Sequence, residues 1–141
     1  MKTIEMLLEE LKKTKNIRLY LENNKNEFLT EPPAKVLQMM LKKSKIPLSE
    51  VAKESAIGDY VYKVFSGKRK PGRNVLISLA LTMNSSYEEL QILLDVAGYA
   101  LLSPKSRRDS VLLYGIFNHK SVVEVDDILD KEKLETLSKE K

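Results

Sequence analysis

A short segment of the chain, residues 66–73, combines glycine and proline with a dense cluster of basic residues. Its cations are Lys68, Arg69, Lys70 and Arg73. Like charges held this close repel one another, and a bound polyanion relieves that repulsion. Because glycine permits the backbone conformations that a tight turn needs and proline fixes its own φ, the turn can hold the charges on one side. The segment is therefore predicted to contact a polyanion, and a merely solvated loop is the alternative.

The charge of the chain is concentrated around that segment. The net charge is +4, but residues 34–75 contain ten basic and three acidic residues, a local net charge of +7. Residues 1–33 hold six of each sign, and residues 76–141 hold eight basic and eleven acidic residues. A basic block between neutral and acidic segments is typical of a surface that binds a polyanion. A lysine-rich face in contact with solvent alone would show the same composition.

Residues suited to catalysis or metal binding are scarce. The chain has no cysteine and a single histidine, His119, which removes thiolate nucleophiles, disulfides and zinc-finger patterns. No base, nucleophile and metal ligand combine into a recognisable reaction centre. We therefore expect no enzymatic activity, no metal and no cofactor.

The N-terminal residues bear on localisation. In MKTIEMLLEELKK, charged residues interrupt the apolar positions every few residues. A signal peptide or a spanning helix would need a longer uninterrupted apolar run. We expect a soluble cytoplasmic protein without membrane contact.

The fold class is predicted to be all-α, because apolar residues recur at helical spacing and no alternating run marks a strand. Pro32 and Pro33 end the preceding helix. They separate an N-terminal helical extension, residues 1–33, from a domain over residues 34–100. Residues 101–141 are predicted to form a C-terminal helical extension packed on that domain. Predicted N-caps are Thr3, Asp59, Ser86, Ser106 and Ser121.

Residues 48–67, LSEVAKESAIGDYVYKVFSG, have the pattern of a helix-turn-helix. Two short amphipathic helices flank the turn at Ala56–Ile57–Gly58, and the small Ala52 permits them to approach closely. The second helix is expected to bury Val61 and Val64. Its opposite face would then present Asp59, Tyr62 and Lys63 outward.

On these residues the chain resembles the XRE-type (lambda-repressor-like) helix-turn-helix regulators. The likeness rests on L48-S-E-V-A-K-E-S-A-I57 and Y60-V-Y-K-V-F-S-G-K-R-K-P71, and extends through R107-R-D-S-V-L-L-Y. It implies a five-helix core whose third helix enters the major groove of duplex DNA. The implied base-reading positions are Gly58, Asp59 and Lys63. The implied phosphate-contacting positions are Lys68, Lys70 and Arg73, with Arg69 adjacent, and Tyr62 can bond a phosphate or stack.

Three features depart from the family pattern. Leu48 stands where the family commonly has a glutamine that touches the DNA backbone, and the turn is one residue shorter than usual. Asp59 is an anion aimed at a polyanion, which is tolerable if it caps its helix or accepts from a cytosine amino group. The alternative is therefore an adaptor that keeps the helix-turn-helix architecture, has lost DNA reading and binds a protein through its terminal helices.

Such regulators usually bind paired half-sites as homodimers. The N-terminal and C-terminal helices are both candidates for self-association, because their apolar stripes exceed what a five-helix core needs. Arg107 and Arg108 begin a predicted helix, where the helix dipole disfavours cations. They are expected to form salt bridges with Asp109, Asp95 or a C-terminal acid.

Overall fold

The computed structural model describes residues 2–28 and 32–139, and every regular element in these two ranges is helical. The all-α prediction is confirmed for this part of the chain. The chain divides into two compact units, residues 1–30 and residues 31–141.

In the first unit, residues 2–28 form two short helices, α1 (Ile4–Lys13) and α2 (Ile17–Asn23), followed by a 3-10 turn, Lys25–Glu27. The predicted cap at Thr3 is confirmed, since its side chain accepts from the N–H of Met6. Asn24 is buried, and its amide donates to Glu10 Oε1 at 3.1 Å and accepts from Lys2 Nζ at 2.6 Å. Lys2 and Asn24 together lower the pKa of Glu10, because both hydrogen-bond its charged form. This small polar cluster holds the two helices together.

The described residues of the second unit, 32–139, form seven further helices and a last 3-10 turn. They are α3 (Pro33–Ser44), α4 (Leu48–Glu54), α5 (Tyr60–Phe65), α6 (Arg73–Thr82), α7 (Tyr87–Ala97), α8 (Arg107–Phe117), α9 (Val122–Lys131) and the turn Leu137–Lys139. α6 is the central helix, because it packs against α4, α7, α8, α9 and the terminal turn. Its middle, from Leu76 to Leu81, is buried on all sides. A helix that is apolar all round is typical of a core element.

Side-chain caps fix where three of the helices in residues 32–139 begin. Ser86 with Glu89 and Ser121 with Glu124 form reciprocal capping boxes, and Ser106 accepts from the N–H of Asp109, so these three predictions are confirmed. The predicted cap at Asp59 is wrong: Asp59 precedes α5 in a helical conformation, and its side chain makes no capping hydrogen bond. A capping residue needs an extended backbone to turn its side chain onto the helix terminus.

α8 and α9 belong to the same hydrophobic core as α3 to α7. Gly115 of α8 allows their close approach, since a Cβ built there would lie 2.5 Å from Val125 Cγ2. Each of the helices α6 to α9 is followed by a residue in the left-handed conformation. The N–H of this residue and the N–H of the next residue donate to carbonyls in the last turn of the helix. These residues are Asn84, Gly98, His119 and Lys133. Helices α3 to α9 thus share one hydrophobic core, and α5 of the predicted site packs on it.

Candidate nucleic-acid interface

α4 and α5 pack against each other and are joined by a tight turn over residues 55–59. Two of its residues adopt positive φ, Ala56 at 66° and Gly58 at 74°. The N–H of Gly58 bonds back to the carbonyl of Ala52 at 3.0 Å. Ser55 is buried, and its Oγ accepts from the N–H of Ile57 at 3.3 Å. The turn is therefore held by its own backbone.

This geometry changes the role predicted for Gly58. Gly58 has no side chain, its N–H is already donated to Ala52, and its φ lies where other residues are strained. A Cβ at this position would meet nothing within 4 Å, so packing is not the constraint. We reassign Gly58 from base reading to shaping the turn that sets the direction of α5.

α5 has one buried and one exposed face. Val61, Val64 and Phe65 are buried, as the predicted pattern for Val61 and Val64 requires. Asp59, Tyr62, Lys63 and Ser66 are exposed. Residues at this spacing share one side of a helix. The structure therefore brings three of the predicted site residues, Asp59, Tyr62 and Lys63, onto one outward face.

The basic loop begins directly over the last turn of α5. Gly67, at φ 83°, donates to Val64 O at 3.2 Å, and Lys68 donates its N–H to Lys63 O at 3.0 Å. These two bonds form a Schellman motif, which ends a helix by folding the chain back onto it. Arg69 donates its N–H to the same Lys63 carbonyl at 3.3 Å. The backbone of the loop is thus hydrogen-bonded to Lys63, whose side chain is the cation on the exposed face of α5.

Two residues that the sequence did not single out for this role anchor the loop. Gln38 of α3 donates from Nε2 to Phe65 O at 2.6 Å, which fixes the end of α5. Tyr99 donates its hydroxyl to Pro71 O at 2.7 Å, and Lys70 Nζ lies 5.5 Å from the centre of the Tyr99 ring. A cation over an aromatic face is favourable by electrostatics. Both contacts span 27 or more residues, so no local pattern signals them.

The cations of this surface have no internal anionic partner in the part of the chain that the structure describes. Lys63, Lys68, Arg69 and Lys70 are exposed. Within residues 2–28 and 32–139, none of them forms a salt bridge or a side-chain hydrogen bond. We call Asp59, Tyr62, Lys63, Lys68, Arg69 and Lys70 the basic surface.

Arg73 does not belong to the basic surface, and its internal contacts argue against the predicted contact with phosphate. Its guanidinium donates from Nη1 and Nη2 to both carboxylate oxygens of Asp109, at 3.3 and 3.1 Å. The remaining donors reach the carbonyls of Ala100 and Leu101 at 2.9 and 3.3 Å. The side chains of Arg73 and Asp109 are 23% and 10% exposed. Arg73 thus joins the start of α6 to α8 and the segment before it.

The two other arginines near this ion pair also contact groups of the same unit, Arg107 through an exposed ion pair. Arg107 lies 3.6 Å from Glu132, a C-terminal acid, as predicted for the start of α8. Arg108 donates to Asn74 Oδ1 at 3.0 Å and to the carbonyl of Glu135 at 2.8 Å. It makes no salt bridge to the predicted acids among the described residues.

No protein-family model, curated protein or solved structure matches this chain. In the ranges that the structure covers, no three histidine or carboxylate side chains come together as a metal site. No described helix is both long and apolar enough to cross a membrane.

Proposed function

We propose that this protein binds double-stranded DNA in a sequence-specific manner, without catalysis, as a transcriptional regulator of the XRE type. The observation that carries the proposal is the basic surface, where four exposed cations without an anionic partner among the described residues continue from α5 into the loop that folds back on it. Phosphate neutralisation by such cations releases counterions and supplies most of the affinity for DNA. The succession of α3 to α7 suits the five-helix core of the lambda-repressor-like family.

The roles within the surface follow from position and chemistry. Lys63, in the middle of the exposed face of α5, would reach base edges in the major groove. Lys68, Arg69 and Lys70 would contact phosphates, because they lie on the loop beyond the end of that helix. Tyr62 can donate to a phosphate, and Asp59 can accept from a cytosine amino group because no cap occupies it.

We propose that the protein acts as a homodimer, assembled through residues 2–28. The large apolar side chains exposed there are Ile4, Met6, Leu8, Leu11, Ile17, Leu19, Leu21 and Phe28. Of the described residues in this unit only Tyr20 and Asn24 are buried, so little apolar surface is covered within it. A second copy would cover it and would match paired half-sites on DNA. Sedimentation should show a dimer that Leu8→Glu dissociates, while Leu101→Glu leaves it intact; a monomeric parent protein contradicts this.

Selection from a random duplex pool, followed by a salt titration of the selected site, tests the function. We expect an enriched motif and an affinity that falls steeply as salt rises. Failure to enrich any motif, with weak binding that is insensitive to sequence, would favour the adaptor. Its support is the same set of exposed apolar side chains in residues 2–28, which a different protein could cover.

A further inference from the structure

A cavity of about 420 Å³ lies behind the turn between α4 and α5. One wall is the turn itself, Ser55–Ile57, together with Tyr60 at the start of α5. The opposite walls come from Val75 and Ser78 of α6, Val122 of α9 and the C-terminal Leu137. The volume lies within the range of small-molecule sites, about 300 to 1,000 Å³.

The lining is apolar with a few hydroxyl groups. Ile57, Val75, Val122 and Leu137 supply aliphatic surface, and Ser55, Ser78, Ser138 and Tyr60 carry hydroxyls. No charged side chain of the described residues lines it. An ionised ligand would lose its hydration here without gaining a countercharge, so the site favours an uncharged molecule.

Of the two buried hydroxyls in the lining, Ser55 and Ser78, only that of Ser78 has no partner among the described residues. Ser78 is 4% exposed, and its Oγ makes no hydrogen bond to any residue that the structure describes. In the same ranges no side-chain polar atom is both sealed from solvent and unbonded. The Ser78 Oγ must therefore retain access to solvent, and the cavity that Ser78 lines is where it finds it. Buried polar groups of native proteins are nearly always hydrogen-bonded. The Ser78 hydroxyl is therefore expected to bond a ligand or a water molecule in the cavity.

The wall formed by the C-terminal residues is held in place by one carboxylate. Asp126 of α9 accepts from the N–H groups of Leu137 and Ser138 at 2.7 and 3.2 Å. This pairing keeps Leu137 and Ser138 against the cavity. A ligand there would contact both these residues and the turn that sets the direction of α5.

We propose that this cavity binds a small uncharged molecule with an apolar, ring-sized body and one hydroxyl, carbonyl or amide group that hydrogen-bonds Ser78. By contact with the turn, the ligand shifts the orientation of α5 and so changes the affinity of the basic surface for DNA. The second statement rests on the proposed DNA-binding function, and the first does not. A ligand can shift such an equilibrium only by its difference in affinity for the two orientations.

The uncharged aromatic 2-naphthol is a suitable probe, and naphthalene is its match without the hydroxyl. The chain contains no tryptophan, so naphthyl fluorescence can be followed without that background. We expect saturable binding of 2-naphthol to the full chain at one site per protomer. Ser78→Ala should weaken 2-naphthol about 5-fold, the effect of one hydrogen bond of about 1 kcal/mol, and leave naphthalene unchanged. An equal effect on both probes, or no saturable binding, overturns the proposal.

Filling the cavity provides a second arm. Val75→Phe should reduce 2-naphthol affinity at least 10-fold, whereas Val123→Phe, on the exposed face of α9, should leave it unchanged. If Val75→Phe does not fold by circular dichroism, Ser138→Phe fills the cavity from its exposed rim instead. Equal affinity of the filled variant and the Val123→Phe control contradicts the assignment.

Saturating 2-naphthol is then added to the DNA titration. An altered DNA affinity in the parent, lost in Val75→Phe, supports the coupling. Probe binding without any DNA binding would end the proposed function and leave the cavity site standing. DNA binding without any probe binding would end the cavity site and leave the proposed function standing.

Discussion

The cations of this protein fall into two groups that the sequence does not separate. Lys63, Lys68, Arg69 and Lys70 are exposed and lack internal anionic partners among the described residues. Arg73, only three positions beyond Lys70, is held in a bidentate pair with Asp109. The position of an acceptor in the fold, and not the local density of charge, therefore decides whether a cation forms an internal ion pair or is free to bind a ligand.

The largest effect is expected at Arg73. Arg73→Met leaves the Asp109 carboxylate buried without its countercharge, and breaking such a pair costs about 3 to 5 kcal/mol of unfolding free energy. Urea denaturation should show this loss, and Arg69→Met, the same change on the exposed loop, should cost less than about 0.5 kcal/mol. Asp109→Leu added to Arg73→Met should recover part of the loss. Equal stability of the two single variants would erase the distinction between the groups.

Charge reversal on the loop should affect binding and not stability. Lys68→Glu with Lys70→Glu is expected to weaken binding to every duplex alike, on the order of 100-fold at low salt, because phosphate contacts carry no sequence information. Fluorescence anisotropy with the selected site and with an unrelated duplex measures this. Lys131→Glu with Lys133→Glu has the same change in net charge at the end of α9, and it should leave binding nearly unaltered. Similar losses in both double variants would show a nonspecific charge effect.

Lys63 and Lys68 are expected to have different roles within the basic surface, base reading and phosphate contact. Lys63→Ala should reduce discrimination between the selected site and a variant with one changed base pair by about 1 to 3 kcal/mol. Lys68→Ala should lower both affinities and leave their ratio intact. An unchanged ratio in Lys63→Ala would place Lys63 among the phosphate contacts.

The smallest effect concerns a carboxylate of the scaffold. The N–H of Ser86 and then the Lys43 ammonium lower the pKa of Glu89 below its ordinary value of 4.5. Because the pKa of Glu89 is lower in the folded protein than in the unfolded chain, the ionised side chain stabilises the fold. This stabilisation is complete at pH values above the unfolded pKa and is lost as the pH falls through the folded pKa. Glu89→Gln should therefore cost about 0.5 kcal/mol at pH 7, with the difference from the parent closing below pH 4.5. Glu88→Gln, on an exposed neighbour, is the control, and DNA binding should be unchanged in both.

Local signals predicted much of the scaffold. The caps at Thr3, Ser86, Ser106 and Ser121 and the inward face of Val61 and Val64 depend on neighbours within a turn or two, so the sequence displays them directly. Interactions across long separations were not predictable in this way. Arg73 meets Asp109 36 residues later, and Tyr99 bonds Pro71 28 residues earlier. The failed cap at Asp59 depends on backbone angles that the tight turn imposes.

The central claim is that the three loop cations contact phosphates, and the salt dependence of DNA binding tests it most directly. Each phosphate contact contributes about 0.9 to the slope of log association constant against log salt concentration. Replacing Lys68, Arg69 and Lys70 together by alanine should make that slope shallower by roughly 2 to 3, while Arg73→Met leaves it unchanged. An unaltered slope in the triple variant, or a shallower slope in Arg73→Met, would contradict the account.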